Sequence, residues 1–95
     1  MSVRWSARAL WHLTSLRRYI ATENPPAAAR VAARILGAVA FLAEHPNLGR
    51  PGRVPSTREL VVSGTPYVVV YTISDEAIVQ VLAVMHAAQK WPAKF

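Results

Sequence analysis

The sequence of 95 residues contains no cysteine. Disulfide scaffolds, thiolate zinc sites and cysteine nucleophiles are therefore excluded. Carboxylates are scarce too: five Asp and Glu face eleven Lys and Arg, for a formal charge of +6. The three histidines, His12, His45 and His86, lack ligand spacing, so neither a metal nor another cofactor is expected. No apolar run reaches the length of a bilayer span. The most apolar stretch, Ala27 to Ala43, carries Arg30 and Arg34 and reads as an amphipathic helix. Arg4 and Arg8 interrupt the N-terminal stretch, so no secretory signal and no membrane contact are expected, and the expected compartment is the cytoplasm.

What is present is a core. Hydrophobic residues make up 53% of the chain, enough for one compact domain over residues 1–95 and too many for a disordered chain. The surplus of positive charge favours a polyanionic or acidic partner without choosing among nucleic acid, a nucleic-acid enzyme and an acidic protein.

Local patterns divide the chain into six elements. Ser2 to Trp5 reads as a short strand, and Ser6 as the N-cap of a helix from Ala7 to Thr22, with Leu10, Leu13, Leu16 and Ile20 near helical spacing and Trp11 widening the apolar face. Asn24-Pro25 opens a second helix ending near Glu44, its stripe formed by Ala28, Val31, Ala32, Ile35, Val39 and Leu42. Gly37 inside it suggests a close helix crossing. The segment His45 to Ser56 holds three prolines and two glycines and is expected to form no regular element. Three extended segments follow: Thr57 to Val62, Tyr67 to Ile73 and Ala77 to His86. The last is apolar on both faces, as a central strand would be. The order βααβββ implies an α+β domain, a helical hairpin covering one face of a mainly antiparallel sheet.

Several segments carry a resemblance in this order. They are Trp5-Ser6, Tyr19-Ile20-Ala21, Asn24-Pro25, Leu42, Pro46, Asn47-Leu48-Gly49-Arg50-Pro51-Gly52, Thr57-Arg58-Glu59-Leu60, Tyr67-Val68-Val69-Val70-Tyr71, Val84-Met85-His86 and Gln89-Lys90-Trp91-Pro92. On this frame the sequence resembles the RelE/ParE toxin superfamily, and more closely its ParE branch, the plasmid stabilisation proteins. The resemblance implies a toxin that arrests bacterial growth unless a cognate antitoxin binds it. ParE-type members poison DNA gyrase, and RelE-type members cut mRNA in the ribosomal A site. It also implies a hetero-oligomer with an acidic antitoxin that has a ribbon–helix–helix DNA-binding domain, so that operator DNA is reached only through the antitoxin.

The enzyme and the binder can be weighed on chemistry. RNA cleavage by 2′-OH attack needs a base, an acid and cations for the phosphate. The candidates for a nuclease are His86, Arg58 and Glu59, with Tyr71 beside them. Arg58 and Glu59 are neighbours on one strand and point to opposite faces. The middle strand, Tyr67 to Thr72, has no cation, where RelE-type nucleases carry one, and the tail has Lys90 and Lys94 but no tyrosine. No catalytic residue is therefore assigned, and a gyrase-directed binder is favoured over the nuclease. A third reading is a binding module without toxicity.

Leu10, Leu13, Leu16, Ile20, Val39 and Arg58 are the expected antitoxin-binding residues, an apolar groove with one cation for an acidic amphipathic segment. Arg50, Arg53, Lys90 and Trp91 are the expected target-binding residues. His86 is read first as a hydrogen-bonded residue fixing the strand-to-tail turn. Surface positions are expected for His12 and His45, and a solvated helical surface for Arg17, Arg18, Arg30 and Arg34. Trp5, Trp11 and Trp91 are expected to pack on the sheet.

Overall fold

The computed structural model describes all 95 residues. Along the chain lie β1 (Ser2–Trp5), α1 (Ala7–Ala21), α2 (Pro25–Glu44), β2 (Arg50–Pro51), β3 (Arg58–Val61), β4 (Tyr67–Ile73) and β5 (Ile78–His86). The strands form one sheet in the order β1-β5-β4-β3-β2. β1 runs parallel to β5, and every other pair is antiparallel. The α+β class and the helical hairpin over a mainly antiparallel sheet are thus as the sequence implies.

Both helices start where their caps dictate. The Ser6 hydroxyl accepts from the Ala9 N–H at 3.0 Å, and the Asn24 side chain accepts from the Ala27 N–H at 3.0 Å, with Pro25 in the first turn where its missing N–H costs nothing. The α2 stripe of Ala28, Ala32, Ile35, Val39 and Leu42 is buried. It meets Val69, Tyr71, Val79, Val81 and Val84 of the sheet in one core. At 20 residues, the length expected from its sequence, α2 reaches bilayer length, but this stripe is committed to the core.

Four expectations are corrected. The segment after α2 does contain a regular element: Arg50 and Pro51 pair with Glu59 and Arg58. β2 is an edge strand, a position where a proline whose N side faces solvent removes no ladder bond. Gly37 marks no close crossing, because a Cβ built there meets nothing within 4 Å. Trp11 is 68% exposed and packs on no sheet, whereas Trp5 leans on the core. His12 is not a free surface residue: its Nδ1 accepts the Val84 N–H at 3.1 Å.

That last bond answers a need of the sheet. β1 pairs with β5 only as far as Val81, so the outer edge of β5 beyond it lacks a partner strand. A bulge follows, with Tyr71 opposite Val81 and Val70 opposite Ala83, leaving Leu82 unpaired. The Ser6 hydroxyl donates to the Leu82 carbonyl at 3.0 Å, and His12 takes the Val84 N–H. The start of α1 therefore seals the edge that β1 leaves open.

The bulge and the pleat give the sheet a second apolar face, formed by Val70, Ala83 and Met85. Here the tail after β5 folds back, and Trp91 and Phe95 pack against this cluster. The Trp91 indole N–H donates to the His86 carbonyl at 3.3 Å.

Candidate functional site

Glu59 faces the tail side of the sheet, since it stands opposite Val70. It is 3% exposed, a costly position for a carboxylate unless it is paired. Its partners come from the Pro/Gly-rich segment. Arg53 donates its backbone N–H at 2.7 Å, Nε at 3.1 Å and a terminal nitrogen at 3.2 Å. Arg50 adds a further bond at 3.2 Å. Burial pushes the carboxyl pKa up, but the hydrogen bonds from Arg53 and Arg50 outweigh it and hold Glu59 below its ordinary value. The Arg53 guanidinium in turn lies 3.6 Å from the centroid of the Trp91 ring, a cation–π contact of about 0.5–2 kcal/mol. Arg50, Arg53 and Trp91, three expected target-binding residues, are therefore assembled around one buried carboxylate.

Arg58 lies on the opposite, helix-facing side, opposite Tyr71. It donates to the Gly49 carbonyl at 2.7 Å and more weakly to that of Asn47 at 3.4 Å. Tyr71 is fully buried and stitches the same segment, donating to the Pro46 carbonyl at 2.7 Å and accepting from the Gly49 N–H at 2.8 Å. Burial raises its phenol pKa, against the Gly49 N–H and the Arg58 charge. Gly49 is required here because a Cβ would run into the Tyr71 ring. Arg58 and Tyr71 thus fix the loop that carries Arg50 and Arg53.

His86 also faces the helices, edge-on to Tyr67 with ring centroids 5.5 Å apart. Its Nδ1 accepts the Ala88 N–H at 3.0 Å, which shapes the turn into the tail. The nuclease candidates are consequently dispersed. His86 sits opposite Tyr67 and Arg58 opposite Tyr71, four residues or about 13 Å further along β4. Glu59 lies through the sheet from both. No three His, Asp or Glu side chains come together as metal ligands would.

The expected antitoxin residues divide. Leu16 and Val39 are buried in the core, because α1 turns Leu16 onto the sheet and α2 turns its stripe the same way. Val39 is closed off from the surface, whereas one edge of Leu16 still reaches a groove. Leu13 and Ile20 are half-buried against that core, and Leu10 is 50% exposed. Beside them a cavity of about 310 Å³ runs between Trp11, Ser15 and Tyr19 of α1 and Tyr67, Val84 and His86 of the sheet, with Leu16 as its floor. Trp11 and Tyr19 were absent from the expected groove, although they recur on α1 with the period of two helical turns.

Lys90, the remaining expected target residue, lies apart from Arg53. It lines a cleft of about 210 Å³ with Arg8, His12, Met85, Gln89, Pro92, Lys94 and Phe95. Arg8 stands over the Phe95 ring at 5.7 Å. Burial, and then the neighbouring Arg8 charge, lower the His12 pKa. Neither Arg8 nor His12 was expected in a site, because nothing in the pattern of residues 87–95 reveals that the tail returns to α1.

Known proteins place this arrangement. Y4kP of Sinorhizobium fredii is 53% identical over 90 residues, covering 95% of this chain and 92% of that one. Toxin RelE2 of Caulobacter vibrioides is 42% identical over 87 residues, covering 92% and 96%. A chain of the chromosomal ParDE toxin–antitoxin system of P. aeruginosa superposes with a TM-score of 0.81 at 22% identity, over 90% of this chain and 95% of that one, and so shares the fold. Residues 3–91 match the ParE toxin of the type II toxin–antitoxin system, parDE, and the chain belongs to that toxin family, within the ParE/RelE superfamily.

Proposed function

We propose that this toxin arrests growth by docking onto DNA gyrase and cuts no RNA. One observation carries the reading: the nuclease candidates His86, Arg58 and Glu59 do not share a cleft. Glu59 is saturated by Arg50 and Arg53, Arg58 is bound to loop carbonyls, and His86 accepts a backbone N–H. A general base must reach the proton it removes, and these three lie on two faces and at two ends of the sheet. The docking surface is the rigid Arg50–Arg53–Trp91 assembly with the adjoining tail.

A type II toxin has an antitoxin as its partner. For this chain the fitting occupant is an acidic amphipathic segment following a ribbon–helix–helix domain, in the cytoplasm. Its apolar side chains would enter the groove beside Trp11 and Tyr19, flanked by Leu10, Leu13 and Ile20. Its carboxylates would meet the surplus positive charge. Operator DNA would be reached through that partner.

The name of the Caulobacter relative, RelE2, favours a second reading, a ribosome-dependent mRNA endoribonuclease. Induction of the toxin in cells separates the two. The gyrase reading predicts double-strand breaks trapped on gyrase with intact messages in primer extension. Codon-periodic cuts in translated mRNA, with unbroken DNA, would establish the nuclease.

A further inference from the structure

We propose that the cleft between the start of α1 and the tail binds the phosphates of a nucleic-acid strand. This holds whether or not gyrase is the target.

The cleft gathers cationic side chains and no acidic one. Arg8 and His12 lie one turn apart on α1, and Lys90 and Lys94 approach from the tail. Both salt bridges of the chain end on Glu59, so none of these cations is neutralised. No Asp or Glu side chain lines the cleft, and the first turn of α1 has no acidic residue. Because His12 Nδ1 accepts the Val84 N–H, the neutral ring carries its proton on Nε2. That N–H makes no hydrogen bond within the chain, so His12 is a donor without needing to be charged.

The donor set suits phosphate better than carboxylate. Two ammonium groups, each a compact charge with three donors, the Arg8 guanidinium and one imidazole N–H approach from two sides and suit the several oxygens of a tetrahedral phosphate, whereas a planar carboxylate is satisfied by one guanidinium fork. The size suits a chain held by its backbone. At about 210 Å³ the cleft falls below the usual range of roughly 300–1,000 Å³ for a whole small molecule. One or two phosphates fill it and the rest of the ligand stays outside. The Phe95 ring, held under Arg8 and only partly buried, offers a face on which a base can stack.

The test uses the purified full-length toxin and a fluorescein-labelled thymidine 12-mer, followed by anisotropy over a salt series. One or two neutralised phosphates give a log–log salt slope of about −0.7 to −1.4. Lys90 and Lys94 are exposed and unpaired, so K90A/K94A folds as the parent does. It should weaken binding by about tenfold or more and flatten the slope. R17A/R30A removes the same charge elsewhere and should change affinity by no more than about threefold. Absence of strand binding, unchanged affinity of K90A/K94A, an equal loss in R17A/R30A, or displacement by polyglutamate as readily as by unlabelled strand would each overturn the assignment.

Discussion

Glu59→Ala removes four hydrogen bonds at once, and their contributions are unequal. The Arg53 backbone N–H loses its acceptor, which costs about 1–3 kcal/mol when the donor stays shielded from water. The side chains of Arg50 and Arg53 are 60% and 47% exposed. Water replaces the carboxylate for them, and each lost ion pair is worth only about 0–1 kcal/mol. The sum is about 1–5 kcal/mol, which in a domain of this size lowers Tm by roughly 4–40 °C. Glu59→Gln keeps an acceptor for the Arg53 N–H and should lose about half as much. Hydrogen bonding holds the folded pKa of Glu59 below its ordinary value near 4.5. This stability is therefore present above about pH 4.5 and is lost as pH falls through the folded value. Thermal melts by circular dichroism at pH 7 measure the effect. An alanine variant melting within about 3 °C of the parent would refute the clamp. A variant more stable than the parent would point to a strained, catalytic carboxylate instead.

Other outcomes follow from the same packing. Protonation of His12 destroys the acceptor for the Val84 N–H, and Arg8 on its own helix, with Lys90 and Lys94 from the tail, opposes the extra charge. Its folded pKa is lowered, so its contribution is complete above the unfolded value near 6.5 and fades as pH drops through the folded one. Melts between pH 7.5 and 5 should show this, and His12→Gln, which accepts without titrating, should flatten the profile. Gly37→Ala, facing open space in α2, should stabilise the domain by about 1 kcal/mol in urea titrations; a loss would mean the position is crowded after all. Leu16→Asp should abolish cooperative melting, whereas Leu10→Asp should melt like the parent and weaken antitoxin capture in calorimetry. Equal melts for the two would contradict their assigned burial.

The architecture was legible because periodicity, caps and turns agree. Asn24-Pro25 and Ser6 mark helix starts that the structure reproduces, and the change from helical to alternating apolar spacing locates β3, β4 and β5. β2 was hidden because two residues of an edge strand carry no period, and proline, the residue that argues against a strand, is tolerated at an edge. Site geometry was less legible for a different reason. The opposite facing of Arg58 and Glu59 follows from strand pleat alone. Trp91 packs on the sheet as expected, but which face it covers, and that Phe95 joins it on Val70, Ala83 and Met85, is set by long-range packing that local pattern does not encode. Without it, Arg53 cannot be placed on Trp91, nor Lys90 beside Arg8. On α1, helical spacing identified apolar positions but not their depth, so Leu16 in the core and Leu10 at the surface looked alike.

Titration of purified gyrase with antitoxin-free toxin tests the central claim, that action comes from docking and not from turnover. The account predicts that loss of supercoiling is complete near a fixed, small ratio of toxin to gyrase and that translated mRNA stays intact at the same ratio. Undiminished supercoiling in excess toxin, together with mRNA cut by toxin present far below the ribosome concentration, would contradict it.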